Sequence, residues 1–91
     1  MKLLSYCVYV LLSLKDSKFY IGSTSSLPQR LKDHEAGRNT STKNRRPFIL
    51  VFCEYYLSKS DMIRREKYLK TSVGKKGLKL MIRKTLVDLG L

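Results

Sequence analysis

Short apolar runs alternate with polar breaks along this chain, and the period of each run predicts its element. SYCVYVLLS (5–13) sets tyrosine, β-branched valines and leucines almost in a row, the composition of a buried strand. KFYIGS (18–23) predicts a second strand, and KDSK supplies turn residues between them, so the two form a β-hairpin. Ser26 with Gln29 three residues on has the form of a capping box, and Pro28 falls in a first helical turn, where its missing N–H costs nothing. A helix therefore runs over 27–36 and stops at Gly37. GRNTSTKNRRP (37–47) is a polar, basic loop, and the near-continuous apolar run FILVFCEYY (48–56) predicts a central strand. Ser60 and Asp61 open a second helix that ends before Gly74. GLKLMIRKTLVDLG reads as a third, with Leu78, Ile82, Leu86 and Leu89 at helical spacing. The order β-β-α-β-α-α predicts an α+β architecture: a small three-stranded antiparallel sheet flanked by helices, one domain over residues 1–91.

Composition adds a partner to this outline. A chain of 91 residues with 43% hydrophobic content builds one modest core and is not a disordered tail. Nineteen Lys and Arg against seven Asp and Glu leave a formal charge of +12, a field that favours a polyanion, nucleic acid foremost. Ten of those nineteen cations lie after residue 58, Arg64 among them, and Lys43, Arg45 and Arg46 cluster in the loop before the third strand. These are the candidate phosphate contacts. Cys7 and Cys53 sit inside apolar runs without Cys-x-x-Cys or Cys-His spacing, so reduced, buried thiols with no disulfide partner and no zinc are expected. The opening MKLLSYCVYVLLSLK imitates a signal peptide but lacks a small-x-small cleavage site and is too short to span a bilayer. No membrane partner and a cytoplasmic location are therefore expected.

Five polar residues stand where chemistry is conceivable, and each alone has an ordinary explanation. Tyr9 and Tyr20 fit a strand core, Arg30 a helix surface, His34 a structural histidine, and Glu66 a salt-bridged carboxylate in a cationic helix. Arg30 and His34 are one turn apart and share a helix face. Gly22 beside Tyr20 weakens a strand and marks close backbone approach or a bulge. Taken as an ordered set, Tyr9 in VYV, Tyr20-Ile21-Gly22, Arg30, His34, STKNRRP and Glu66 in REKYLK resemble the GIY-YIG nucleases, in particular their small stand-alone bacterial members. The resemblance spans about residues 5–80, with Cys7-Val8-Tyr9 where the name-giving Gly-Ile-Tyr would stand.

The resemblance implies that Tyr9 and Tyr20 lie in an active site, where one of them orients or deprotonates the attacking water. It also implies that Arg30 contacts the scissile phosphate, that His34 assists, and that Glu66 holds one divalent ion, Mg2+ or Mn2+. These five residues are then expected on one concave face, with His34 at its edge and both following helices packed over that side of the sheet. With only seven carboxylates, and none nearer to Glu66 in sequence than Asp61, a multi-carboxylate two-metal site is not expected. The implied activity is metal-dependent hydrolysis of DNA that is branched, nicked or otherwise non-canonical, structure-selective or weakly specific. The alternative is a nucleic-acid-binding module of the same fold with little or no cleavage.

Overall fold

A computed structural model describes all of residues 1–91. Its organising element is β1 (Tyr6–Ser13), which pairs antiparallel with β2 (Phe19–Thr24) on one side and β3 (Phe48–Tyr56) on the other, giving the strand order β2-β1-β3. The predicted hairpin and the α+β class are present. The predicted central position of 48–56 is not: β3 is an edge strand, and the middle belongs to β1. The two strands are nearly equal in apolar content, so composition does not rank them. Burial does. Every residue of β1 from Cys7 to Ser13 is buried, whereas Leu50, Cys53 and Tyr55 of β3 are exposed.

Successive side chains of β1 point to opposite faces, and each face has its own cover. Val8 and Val10 pack with Ile21 against Met62, Leu69, Leu78 and Ile82 of the later helices. Cys7, Tyr9 and Leu11 pack with Leu27 and Leu31 of α1 (Leu27–Glu35), and with Tyr20 and Phe48. The helices thus cover both faces of the sheet, where the sequence predicted them over one side.

Local chemistry sets several boundaries away from their predicted places. Ser26 precedes α1 but its side chain forms no cap; Thr24 Oγ1 instead accepts the Ser26 N–H at 3.0 Å, so the capping box does not form. Gly37 does close α1, in the left-handed region at φ +76°, as Gly permits. Helix α2 (Lys59–Leu69) opens slightly earlier than predicted: Ser58 is its cap and accepts from the Asp61 N–H. The predicted third helix is two, α3 (Ser72–Met81) and α4 (Arg83–Asp88), separated at Ile82, whose ψ of 24° is not helical. In the loop, Lys43–Arg45 form a single 3-10 turn.

Gly74, read from sequence as a stop, lies inside α3, whose cap is Thr71. A Cβ built there would fall 2.0 Å from the Tyr68 carbonyl oxygen, so the glycine lets α3 close onto the end of α2. Gly77, on the same helix, has open space around it. Gly74→Ala is therefore expected to cost about 1–3 kcal/mol or more in urea denaturation, through displaced backbone. Gly77→Ala is expected to gain about 0.5–1 kcal/mol from helix propensity. Equal effects of the two substitutions would contradict this packing.

Candidate active site

The register places the pieces. Tyr9 lies opposite Gly22 across the β1–β2 ladder, and Leu11 opposite Tyr20. A Cβ on Gly22 would meet the Tyr9 hydroxyl oxygen at 2.7 Å, so the phenol lies directly over the bare glycine backbone. Tyr20 stands on the same face, with its ring centroid 6.4 Å from that of Tyr9. From α1, His34 sits edge-on to both rings, at 5.7 Å from Tyr9 and 5.2 Å from Tyr20.

These three are joined by hydrogen bonds as well as by contact. The Tyr9 hydroxyl lies 2.7 Å from His34 Nε2, and His34 Nδ1 lies 2.8 Å from the Thr42 hydroxyl. Tyr9 is 1% exposed, His34 2% and Thr42 0%. His34 therefore sits at the centre of the arrangement, whereas the sequence placed it at the edge. The Tyr20 hydroxyl has no protein partner and remains available to a ligand or water. Sequence reasoning misses Thr42 altogether: it sits between exposed Ser41 and Lys43 in the basic loop, and nothing in its neighbours signals that one hydroxyl turns inward.

Arg30 lies one turn before His34, half-buried, and takes part in none of the six ion pairs. Its charge reaches both partners of the Tyr9–His34 bond. Burial raises the Tyr9 phenol far above its usual range, with Tyr20 and Glu66 adding to the rise and Arg30 opposing it. Burial also lowers His34 from its ordinary 6.5, and Arg30 lowers it further against a smaller opposite pull from Asp33. In the free protein Tyr9 is a neutral phenol and His34 a neutral imidazole at pH 7.

Glu66 arrives from the other layer. It projects from α2 to the β2 edge, where its Oε1 accepts from the Ser23 hydroxyl at 2.7 Å, one residue beyond Gly22. Its second oxygen pairs with Lys70 Nζ at 3.0 Å. The site thus straddles the edge of β2, with Tyr9, Tyr20 and His34 on one face and Glu66 coming from α2 on the other, where the sequence predicted all five residues on one concave face. No group of three or more His, Cys, Asp or Glu side chains converges anywhere. A lone carboxylate could serve at most one hard cation, and both Glu66 oxygens are engaged, by Ser23 and by Lys70.

The predicted phosphate contacts divide. Arg45 is committed to structure, paired with Asp16 at 2.7 Å, bonded to the Lys18 carbonyl and stacked over Phe48. Arg46 bonds the Lys43 and Glu35 carbonyls and packs on Gly37. Arg64 pairs with Asp61 on the far, exposed side of α2. Lys43 alone is free, and it borders a cleft of about 770 Å3 that opens onto His34 between α1 and β3. The thiols are both free; burial pushes Cys7 up to about 11, and Cys53 is exposed on β3, where the sequence predicted a buried thiol. No helix is long and apolar enough to cross a membrane.

Residues 5–79 match the family model of the GIY-YIG catalytic domain. The chain belongs to the GIY-YIG family. Among its relatives, the UPF0213 protein SH2523 of Staphylococcus haemolyticus is 39% identical over 75 residues, covering 81% of this chain and 90% of that protein. The UPF0213 protein YazA of Bacillus subtilis is 35% identical over 69 residues, covering 75% and 70%. The solution NMR structure of the UPF0213 protein BH0048 of Bacillus halodurans superposes with a TM-score of 0.54 at 32% identity, over 84% of this chain and 83% of that one. Membership in this nuclease family implies a nucleic-acid substrate.

One expectation follows from His34. Its folded value lies below its ordinary 6.5, so the unfolded chain takes up the proton first as pH falls. That stability is complete above pH 6.5 and is lost on acidification. Asp16 and Asp33, held low chiefly by hydrogen bonds from Arg45 and Arg38, protonate only at lower pH. The urea midpoint should therefore decline as pH falls below 6.5, and His34→Phe should flatten that decline. An unchanged slope in the variant would mean that His34 is not held neutral.

Proposed function

We propose that this protein is a divalent-metal-dependent endonuclease that hydrolyses phosphodiester bonds in DNA, structure-selective or weakly specific, and acting in the cytoplasm. The observation that carries this reading is the buried Tyr9 hydroxyl bonded to a neutral imidazole, beside an arginine with no partner of its own. A core tyrosine needs a partner for its buried hydroxyl, but it does not need an unpaired guanidinium beside that bond.

Hydrolysis requires an attacking water to lose a proton, and a buried phenolate is too costly to supply the base in advance. A relay avoids the phenolate. As the water oxygen bonds to phosphorus and the bond from phosphorus to the leaving 3′-oxygen breaks, the water proton passes to the Tyr9 oxygen and the Tyr9 proton to His34 Nε2. Tyr9 stays neutral, an imidazolium forms, and the leaving oxygen takes its proton from solvent. Arg30 ties this to substrate. In the free protein its charge helps to hold His34 neutral. A phosphodiester anion on its guanidinium fork offsets that charge and makes the imidazole a better acceptor. Tyr20, its hydroxyl free, orients the water or a phosphate oxygen. Glu66, positioned by Ser23, would hold the divalent ion, Mg2+ or Mn2+. The ion supplies positive charge to the leaving oxygen when bound.

The decisive assay incubates the pure protein with labelled linear, nicked, forked and branched DNA in Mg2+, Mn2+ or chelator. Nicking should require the metal. Tyr9→Phe should lower the rate by about 10²–10⁴-fold. Glu66→Gln should abolish nicking while DNA affinity persists or tightens, because a repulsive charge is gone. If Glu66 served only its ion pair with Lys70, the same change would cost at most about 1 kcal/mol and leave nicking intact. Full activity in that variant would sink the metal assignment. For binding, log affinity should fall with log salt by roughly 0.9 per phosphate contact, and Lys43→Ala should make the slope shallower by about one contact. Lys43 is the informative choice, because removing Arg45 also removes its clasp on Asp16.

A further inference from the structure

We propose that Thr42 is a positioning residue: its hydroxyl holds His34 in the Nδ1–H tautomer and so leaves Nε2 free to accept the proton of Tyr9. The inference deepens the reading above and rests on it for the catalytic consequence, but not for the tautomer itself.

Two directions of hydrogen bonding are possible along the chain Tyr9–His34–Thr42, and they are not equally satisfied. In one, the Tyr9 hydroxyl donates to Nε2, Nδ1–H donates to Thr42 Oγ1, and the Thr42 hydroxyl turns its proton to the Asn39 carbonyl, 3.5 Å away. Both short contacts then carry a proton to an acceptor, and the Thr42 hydroxyl keeps only a long, weak contact to that carbonyl. In the other, Thr42 donates to Nδ1 and Nε2–H donates to the Tyr9 oxygen. The Tyr9 proton is then left without a protein acceptor on a residue only 1% exposed. An orphaned buried donor costs about 1–3 kcal/mol, enough to favour the first arrangement. The Asn39 carbonyl loses little either way, since it already accepts from the Thr42 and Lys43 N–H groups at 3.1 and 3.0 Å.

The first direction also matters for chemistry. It leaves a lone pair of the Tyr9 oxygen unoccupied by protein, the acceptor that the proposed relay needs once bound substrate brings a water to it. The second direction blocks that lone pair with an N–H. Thr42 is well placed to fix the direction, since it is the one buried residue between Gly37 and Pro47 and sits at the start of the 3-10 turn. The other groups facing His34 cannot set the tautomer. Tyr20 meets it through its ring edge, Arg30 and Asp33 act on it only through charge, and Lys43 and Arg46 line the cleft beyond it.

His34 is the only histidine, so imidazole nitrogen resonances of 15N-labelled protein give one pair of signals to read. Wild type at pH 8 should show a protonated Nδ1 and a bare Nε2. Thr42→Val keeps the shape but removes the acceptor, and should move the population toward Nε2–H. It should also lower the nicking rate roughly tenfold or more at saturating DNA, with little change in KM. Thr42→Ser should restore both. A wild-type protein in the Nε2–H form would overturn the inference without any variant. So would a folded Thr42→Val protein that keeps the Nδ1–H form, or a Thr42→Ser protein that fails to recover it. Should wild type show the Nδ1–H form yet cut no DNA, the positioning by Thr42 would stand and the nuclease reading would fail.

Discussion

Because β1 lies in the middle of the sheet, its side chains must satisfy two different surroundings in strict alternation. Val8 and Val10 belong to the layer of α2, α3 and α4, while Cys7, Tyr9 and Leu11 belong to the layer of α1. A slip of one residue would exchange the two sets and turn Tyr9 away from Gly22 and His34. The Tyr9 phenol is therefore not mounted on a flexible loop. It is a core residue whose place is fixed by the same packing that holds the protein together, and its hydroxyl fits over β2 only because Gly22 offers no side chain there.

Electrostatics divides the cations into two populations. Much of the +12 charge is spread over exposed helix faces, and several arginines near the site are absorbed in holding loops, as Arg45 holds the hairpin turn through Asp16. Arg30 is different, because it is half-buried and unpaired, and its charge bears on both ends of the Tyr9–His34 bond. A long-range field gathers a polyanion, whereas one unpaired guanidinium, in the role proposed for Arg30, fixes where a phosphate rests. Counting charges in the sequence detects the first and not the second.

The legible parts of the sequence are those in which local chemistry decides. The hairpin, the span of α1 and its stop at Gly37 follow from turn residues, Pro28 and a left-handed glycine. The α+β class follows from element order. What cannot be read there depends on contacts between distant segments. FILVFCEYY and SYCVYVLLS look alike, and only the docking of β1 against both neighbours makes it the central strand. Gly74 resembles a helix stop until α2 lies against it. Within the site, the ordered motif marks Tyr9, Tyr20, Arg30, His34 and Glu66 as a set. It does not show that His34 is buried between tyrosine and threonine, nor that Arg45 and Arg46 are bound to backbone carbonyls.

The two-faced burial of β1 also has a cost during synthesis. Tyr6 to Leu12 is an apolar run with no charge, strong in β propensity, and half of its pairing comes from β3, which emerges from the ribosome much later. Until residues 48–56 are available, one ladder edge of the hairpin is open and the Val8 face has no helix over it. Such a segment is a template for pairing with other nascent chains. Lys2 before it and the Lys15–Lys18 turn after it bracket the run with positive charge, in the manner of gatekeeper residues. The positive charges on either side of the central strand are thus of the kind that opposes such pairing.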